Sequence, residues 1–462
     1  MLEKLFKLRE NNTDVRTEFI AGLTTFITMA YVIFVNPDIL SQTGMNKNAV
    51  FVATILAATI GTLIMGLVAN VPFAQAPGMG LNAFFTYTVV ISYGFSWQQA
   101  LAIVFICGLL NILITATNIR KTIIKAIPEF LQYAISGGIG LFITYIGIKN
   151  AHFLSFTGAD GKKEGASIIF NDITPAIADF TDPVAQLALI GVVITVILML
   201  LKLKGSILLG IILTTIAGCF MGVTKIPSMS ASDFIPPSIA PTFLKLDFVG
   251  LFRDTSKLFV VLTTILAFSL SDTFDTIGTF LGTGRKSGIF DSKDLEKYNK
   301  GRGFGSKLDR ALFADATATS IGALLGTSNT TTYVESAAGI SAGGRTGLTS
   351  VFTALLFIVS LFFAPIAGIV PSAATAPALI IVGILMMESL SKINWGEFEE
   401  AVSAFFTIVI MPFSYSISNG VAAGFLFYVI SKIVRGKAKE VHPIMYIVTI
   451  LFILNFVLSA VK

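Results

Sequence analysis

"GALLGTSNTTTYVESAAG" occupies residues 322–339, and its middle is unlike the apolar stretches on either side. Ser328, Asn329, Thr330, Thr331 and Thr332 form a polar run that no lipid-facing helix would carry, and Glu335 follows three residues later. A second stretch breaks in a similar way. "NVPFAQAPGMGLNAFF", residues 70–85, sets Pro72, Pro77, Gly78 and Gly80 ahead of an apolar run. Each reads as a short extended segment leading into a half-helix. Backbone of this kind survives at membrane depth only where protein or water covers it. Both stretches therefore point to the interior of a membrane protein.

Composition agrees. Of 462 residues, 54% are hydrophobic and 13% charged, with mean hydropathy +0.82, whereas soluble domains carry about 25% charged residues. The chain reads as an all-α, polytopic protein whose first partner is the lipid bilayer. Cys107 and Cys219 fall inside apolar runs, so neither a disulfide framework nor a metal site is expected, and no cofactor is. His152 and His442 flank apolar runs and read as interfacial. A net charge of +5, spread over several loops, suits membrane topology and not nucleic acid. The N-terminus shows no short apolar core followed by a cleavage site, and its first eight residues suit a short amphipathic helix on the cytoplasmic face.

A span needs about 20 apolar residues, or fewer where the helix is broken inside protein. Helices are expected near 17–40, 49–70, 77–93, 97–118, 129–149, 183–203 and 205–223. A second set is expected near 257–281, 310–325, 332–343, 346–370, 375–391, 398–413 and 417–435. For Pro443 to Ala460, an extra span and a helix lying along the membrane both remain open. Eight Lys/Arg lie between Leu281 and Ala311, and "NIRKTIIK" adds three. Both loops fall on the cytoplasmic side if the N-terminus is inside. The two broken stretches open the third helix of each set of seven, the sequence mark of inverted repeats around a transport site. "IPEFLQYAISGGIG" (127–140) and "VPSAATAPALIIVG" (370–383) add a weaker trace, each placing Gly twelve residues after Pro.

Two acids mark the chemistry. "SDTFDTIGTFLG", residues 271–282, ends the apolar run "LFVVLTTILAFSL". On a helix, Phe268, Asp272, Asp275 and Thr279 share one stripe. Glu335 is the acid of the second half-helix, Asn82 lies in the first, and Thr24 and Thr28 sit one turn apart in span one. Each has a plain structural alternative. Asp275 can be solvated at a helix end, Asp272 can make a buried hydrogen bond, and Glu335 or Asn82 can brace a helix start. The threonines can bond their own helix carbonyls. Against this stands the rule that intramembrane acids are functional by default. Half-helix ends offer N–H groups and carboxyls offer acceptors, which suits a small, flat, polar solute, with Phe268 or Phe26 stacking on its face. A buried carboxyl can also exchange a proton with bulk, so proton coupling is expected.

These motifs resemble the nucleobase–cation symporters, specifically the AzgA-like branch of purine permeases for adenine, guanine and hypoxanthine. The likeness runs over nearly the whole chain and is strongest at "EFIAGLTTFITMAYVIFVNP", "APGMGLNAFF", "SDTFDTIGTFLG" and "GTSNTTTYVESAAGISAGGRTGL". It implies about fourteen spans in two inverted seven-helix repeats, with short strands before half-helices 3 and 10. Residues 17–118 and 257–370 would form a core domain and 129–223 and 375–435 a gate domain, leaving 436–462 as an apolar extension. It further implies import of a purine nucleobase with a proton across the cytoplasmic (inner) membrane, and a homodimer through the gate. Asp272, Glu335, Asn82 and Thr332, with Phe268, Phe26 and Thr28, would form the substrate site. Asp272, Asp275 and Glu335 would couple the proton. Two other readings compete. Carboxyls at mid-membrane argue against a sulfate- or bicarbonate-type anion carrier on the same fold. An intramembrane aspartyl hydrolase needs acids facing across two helices, for which Asp315 is the second candidate.

Overall fold

A computed structural model describes residues 2–117, 126–159, 162–164, 167–169, 172–178, 180–226, 234–254, 257–285, 287–291, 294, 296–298 and 305–460. The loop 118–125, read above as "NIRKTIIK", lies outside these residues, as do Lys286, Lys293, Lys300 and Arg302 of the basic loop. α1 (Leu2–Phe6) precedes a long apolar helix that breaks midway into α2 (Val15–Met29) and α3 (Val32–Ser41). Asp14 caps α2 by accepting from the Thr17 amide, and Ala30 and Tyr31 form the break. α4 (Lys47–Ile64) runs on as a π-helical turn to Ala69. β1 (Gln75–Pro77) leads into α5 (Met79–Ala83), which continues π-helically through Ser92. α6 (Trp97–Ala116) and α7 (Glu129–Asn150) follow.

The long loop after α7 is more ordered than its sequence suggests. β2 (Leu154–Ala159) pairs with β5 (Asp172–Ile177), and β3 (Lys162–Glu164) with β4 (Ser167–Ile169), both antiparallel. α8 (Pro183–Leu200) and α9 (Ser206–Phe220) close the first half. The second half holds α10 (Phe248–Arg253), α11 (Leu258–Thr279), α12 (Lys307–Leu325), β6 (Thr330–Thr332), α13 (Ser336–Ser341) and α14 (Gly347–Ser360). α15 (Ala364–Ile369), α16 (Ser372–Met386), α17 (Phe398–Phe413), α18 (Ile417–Val434) and α19 (Pro443–Ala460) complete it.

Among the described residues, nine helical stretches are long and apolar enough to cross a membrane. Other expected span positions hold helices that miss this threshold for stated reasons. α9 and α17 have 15 and 16 residues, and α12 carries Lys307, Asp309, Arg310 and Asp315. The remaining two are the broken segments. The fold is that of a multi-pass helical membrane protein.

The two breaks meet each other. β1 and β6 pair antiparallel, with Gln75 opposite Thr332, Ala76 opposite Thr331 and Pro77 opposite Thr330. The ladder extends through Gly78 N to Asn329 O (2.9 Å) and Tyr333 N to Ala74 O (3.0 Å). Backbone donors that a helix would have satisfied internally are satisfied across the repeat instead. Around this ladder, α2, α3, α4, α6, α11, α12 and α14 pack on one another, drawing on both halves of the chain. A second group packs together from α7, α8, α9, α16, α17 and α18. Within it, α7 and α16 cross at glycine: a Cβ on Gly140 would lie 2.7 Å from the Gly383 carbonyl oxygen, and one on Gly383 would lie 2.5 Å from that of Gly140. These are the glycines set twelve residues after Pro128 and Pro371, so the repeat trace marks a helix contact. α19 packs on α18 and α11. α1 is no free surface helix, since Phe6 and Leu8 are buried against Leu348.

Candidate solute site

The strand pair is anchored by one carboxylate. Asp315 of α12 is fully buried. Its Oδ1 accepts from the Thr332 amide (3.0 Å), the Thr332 hydroxyl (2.8 Å) and Gln75 Nε2 (3.3 Å), and both its oxygens lie 2.9 Å from the Thr276 hydroxyl. Thr332 and Gln75 are opposite each other in the ladder, while Thr276 follows Asp275 on α11. One acid thus fixes β1, β6 and the acidic helix in a common frame. The oxygens of Asp315 are committed to these donors.

A cavity of about 70 Å³ opens in front of this frame. Its walls are Ser271, Asp275 and Thr279 of α11; Gly78 to Leu81 at the start of α5; Thr331 to Glu335 after the ladder; and Tyr31 from the break in span one. The second packed group closes it with Ile139 of α7 and Val382 and Met386 of α16. Among the described residues, Asp275 and Glu335 are the acids on this wall and no Lys or Arg lines it. The first backbone amides of a helix have no partner within it, so the wall from Met79 to Leu81 adds donors to two acceptors. α13, by contrast, has only six residues and little dipole to offer.

Glu335 is held from span one. The Tyr31 hydroxyl donates to Glu335 Oε1 at 2.7 Å, and the Thr28 hydroxyl reaches the Glu335 carbonyl oxygen at 3.5 Å while bonding its own helix carbonyls at Thr24 and Thr25. Tyr333 donates to the Pro77 carbonyl at 2.6 Å, tying the end of β6 to the start of α5. Neither tyrosine stands out in the sequence reading. Both sit inside quoted motifs, "MAYVIF" and "TTTYVES", where an aromatic beside a break is the only signal.

Of the expected site residues, Thr332 and Glu335 line the cavity together with Asp275. Asp272 does not. Its carboxylate turns toward α6 and α12, accepting from Asn111 Nδ2 at 2.9 Å and the Thr319 hydroxyl at 3.5 Å. Successive helix residues are rotated by about 100°, so Asp272 lies about 60° round α11 from Asp275. The cavity-facing strip is Ser271–Asp275–Thr279. Asn82 is also behind the wall: its amide oxygen and the Ser328 hydroxyl bond each other, and its Nδ2 reaches the Pro77 carbonyl at 3.5 Å. Phe268 packs on Phe84 at 4.5 Å between centroids, and Phe26 on Phe357 at 5.2 Å.

One end of the molecule is bolted across the two packed groups. Asp38 of α3 accepts from the Thr375 hydroxyl of α16 (2.8 Å) and pairs with Lys47 (2.9 Å). Thr88 donates to the Tyr415 carbonyl (2.6 Å), and Asn150 of α7 to the Tyr87 hydroxyl (3.3 Å).

Residues 16–423, most of the chain, match the Permease family. This chain belongs to the permease family. The permease is 41% identical to the guanine/hypoxanthine permease PbuG of Bacillus subtilis over 467 residues, covering 99% of each chain. It is 40% identical to the adenine permease AdeP of Escherichia coli over 457 residues, covering 99% of this chain and 96% of the relative. In fold it is similar to the transmembrane domain of a cyanobacterial bicarbonate transporter, BicA, with TM-score 0.59 and 16% identity over 90% of this chain and 96% of that one. The permease is a transporter and no enzyme, which sets aside the hydrolase reading.

Proposed function

We propose that this permease imports purine nucleobases by proton symport across the cytoplasmic membrane, with its N-terminus inside. The observation that carries the reading is one cavity at the junction of the two broken segments with Asp275 and Glu335 on its wall. Purines present N–H donors along a flat edge, and two carboxyls supply matching acceptors. The relatives named for adenine and for guanine/hypoxanthine, similar over nearly their whole length, support the same class. An anion carrier on this fold is disfavoured, because among the described residues the wall offers two acids and no fixed cation.

In this reading Asp275, Glu335 and Thr332 contact the base, and either acid carries the proton. Asp272, Asn82 and Phe268 support the wall from behind, while Thr28 and Phe26 flank it. The group containing α2–α6 and α11–α14 acts as the core, and that containing α7–α9 and α16–α18 as the gate. Relative motion of the two exposes the cavity to each side in turn. The test is uptake of radiolabelled hypoxanthine in cells lacking their own purine uptake, with unlabelled adenine, guanine, hypoxanthine, xanthine and uracil as competitors. Competition by purines and collapse under a protonophore are expected. Absence of purine uptake, or accumulation that survives the protonophore under a sodium gradient, would overturn the substrate or the coupling ion respectively.

A further inference from the structure

Ser271 opens the motif "SDTFDT" and stands one turn before Asp275 on the cavity strip of α11. Residues four apart on a helix are neighbours, so its hydroxyl and that carboxyl lie side by side. Four other hydroxyls on the wall have already spent their single hydrogen. Tyr31 donates to Glu335 Oε1, Tyr333 to the Pro77 carbonyl and Thr332 to Asp315 Oδ1. Thr331 bonds the Thr276 hydroxyl, whose own hydrogen goes to Asp315. Ser271 is different. It is 1% exposed, and its Oγ is buried with no hydrogen-bond partner among the described residues. Leaving a buried hydroxyl unpaired is unfavourable, and such a group in a native structure calls for an explanation. The cavity that Ser271 lines is where a partner can sit.

We propose that Ser271 is a specificity-determining contact of the solute site: its hydroxyl donates to an acceptor on the solute, in company with Asp275, which accepts an N–H. An ionised carboxyl only accepts, so two acids alone recognise donors. The hydroxyl adds the complementary half, and the strip of α11 then reads a donor and an acceptor on one flat ring. On the purine reading above, on which this contact rests, the acceptor is a ring nitrogen or the 6-carbonyl oxygen of the base. The unpaired hydroxyl of the empty site gains its partner when the base enters, so its cost falls on the empty site and its benefit on the loaded one.

The experiment measures binding to the purified protein by calorimetry, and melting temperature with and without hypoxanthine, for the wild-type protein and Ser271→Ala. Removing an unpaired buried hydroxyl leaves nothing unsatisfied, so without solute the melting temperature of Ser271→Ala is expected at or above the wild-type value. Its Kd for hypoxanthine is expected to rise roughly fivefold, the scale of one neutral hydrogen bond. Added hypoxanthine should accordingly raise its melting temperature by less than it raises that of the wild type. 3-Deazahypoxanthine, 7-deazahypoxanthine and purine each lack one acceptor of hypoxanthine, and the one lacking the acceptor that Ser271 meets should bind both proteins with Kd values within twofold. Ser271→Cys, which carries a weaker donor, is expected to shift Kd in the same direction and stands in should Ser271→Ala fail to insert. A Kd for hypoxanthine within twofold of wild type, an equal shift for all four bases, or a solute-free melting temperature that falls in step with the affinity would overturn the inference. Were the wild-type protein to bind none of the four bases, the purine reading would fall and this contact with it.

Discussion

At the scale of single residues, the two aspartates of "SDTFDT" have separate surroundings, and substitution should separate them. Asp275 faces the cavity. Asp275→Asn is expected to lower uptake by ten- to a hundredfold, the worth of a hydrogen bond to a charged group, with the amount in the membrane unchanged. Asp272 instead accepts from Asn111 and Thr319 in the interior of the first packed group. Asp272→Asn sets an amide against the Asn111 amide and is expected to cost about 1–3 kcal/mol of stability. It should lower the melting temperature of the purified protein while KM stays near the wild-type value. A KM effect from Asp272→Asn as large as that from Asp275→Asn would return Asp272 to the wall. The helical stripe in the sequence identified the right helix and a face about 60° wide. It could not divide that face, because which edge meets a cavity and which meets α6 is decided by packing partners far away in the chain. Tyr31 was illegible for a related reason: its hydroxyl acquires meaning only from Glu335, 304 residues away.

Among elements, the breaks were the most legible feature, since Pro, Gly and a run of hydroxyl side chains announce backbone that leaves the helix. That the breaks pair as strands follows from their need for partners in a dry interior. The crossing of α7 and α16 shows what a small residue allows. Gly383→Leu drives a side chain into the Gly140 backbone and is expected to cost about 1–3 kcal/mol or more, read as a lower melting temperature, with uptake falling in parallel. Before α8, Asp182 caps the helix through the Val184 amide and bonds His152 at 2.6 Å. The bond from His152 and the cap hold its carboxyl below the ordinary value. The stabilisation is therefore complete above the ordinary carboxylate range and is lost as pH falls through the lowered value. Hydrogen exchange in the first turn of α8 should rise on acidification below roughly pH 4, and Asp182→Asn should flatten that dependence. The hairpins preceding α8 escaped the sequence reading because their strands are short and flanked by Gly and Asp.

For the whole molecule, the two packed groups are joined at one end by Asp38–Thr375, Thr88–Tyr415 and Tyr87–Asn150. If transport requires the groups to part there, fixing them should stop it. With Cys107 and Cys219 replaced by Ala, the pair Asp38→Cys and Thr375→Cys is expected to form a disulfide under mild oxidation and to lose uptake, with recovery on reduction. Undiminished uptake by the cross-linked protein would show that this end stays shut throughout the cycle.

The antiparallel ladder between β1 and β6 has a mechanical meaning of its own. Because main-chain bonds stitch one broken segment to the other beside the cavity, neither can tilt without carrying its counterpart. If the proposed cavity is where cargo sits, its floor would keep one shape through the cycle, and the change of access would fall to the walls around it.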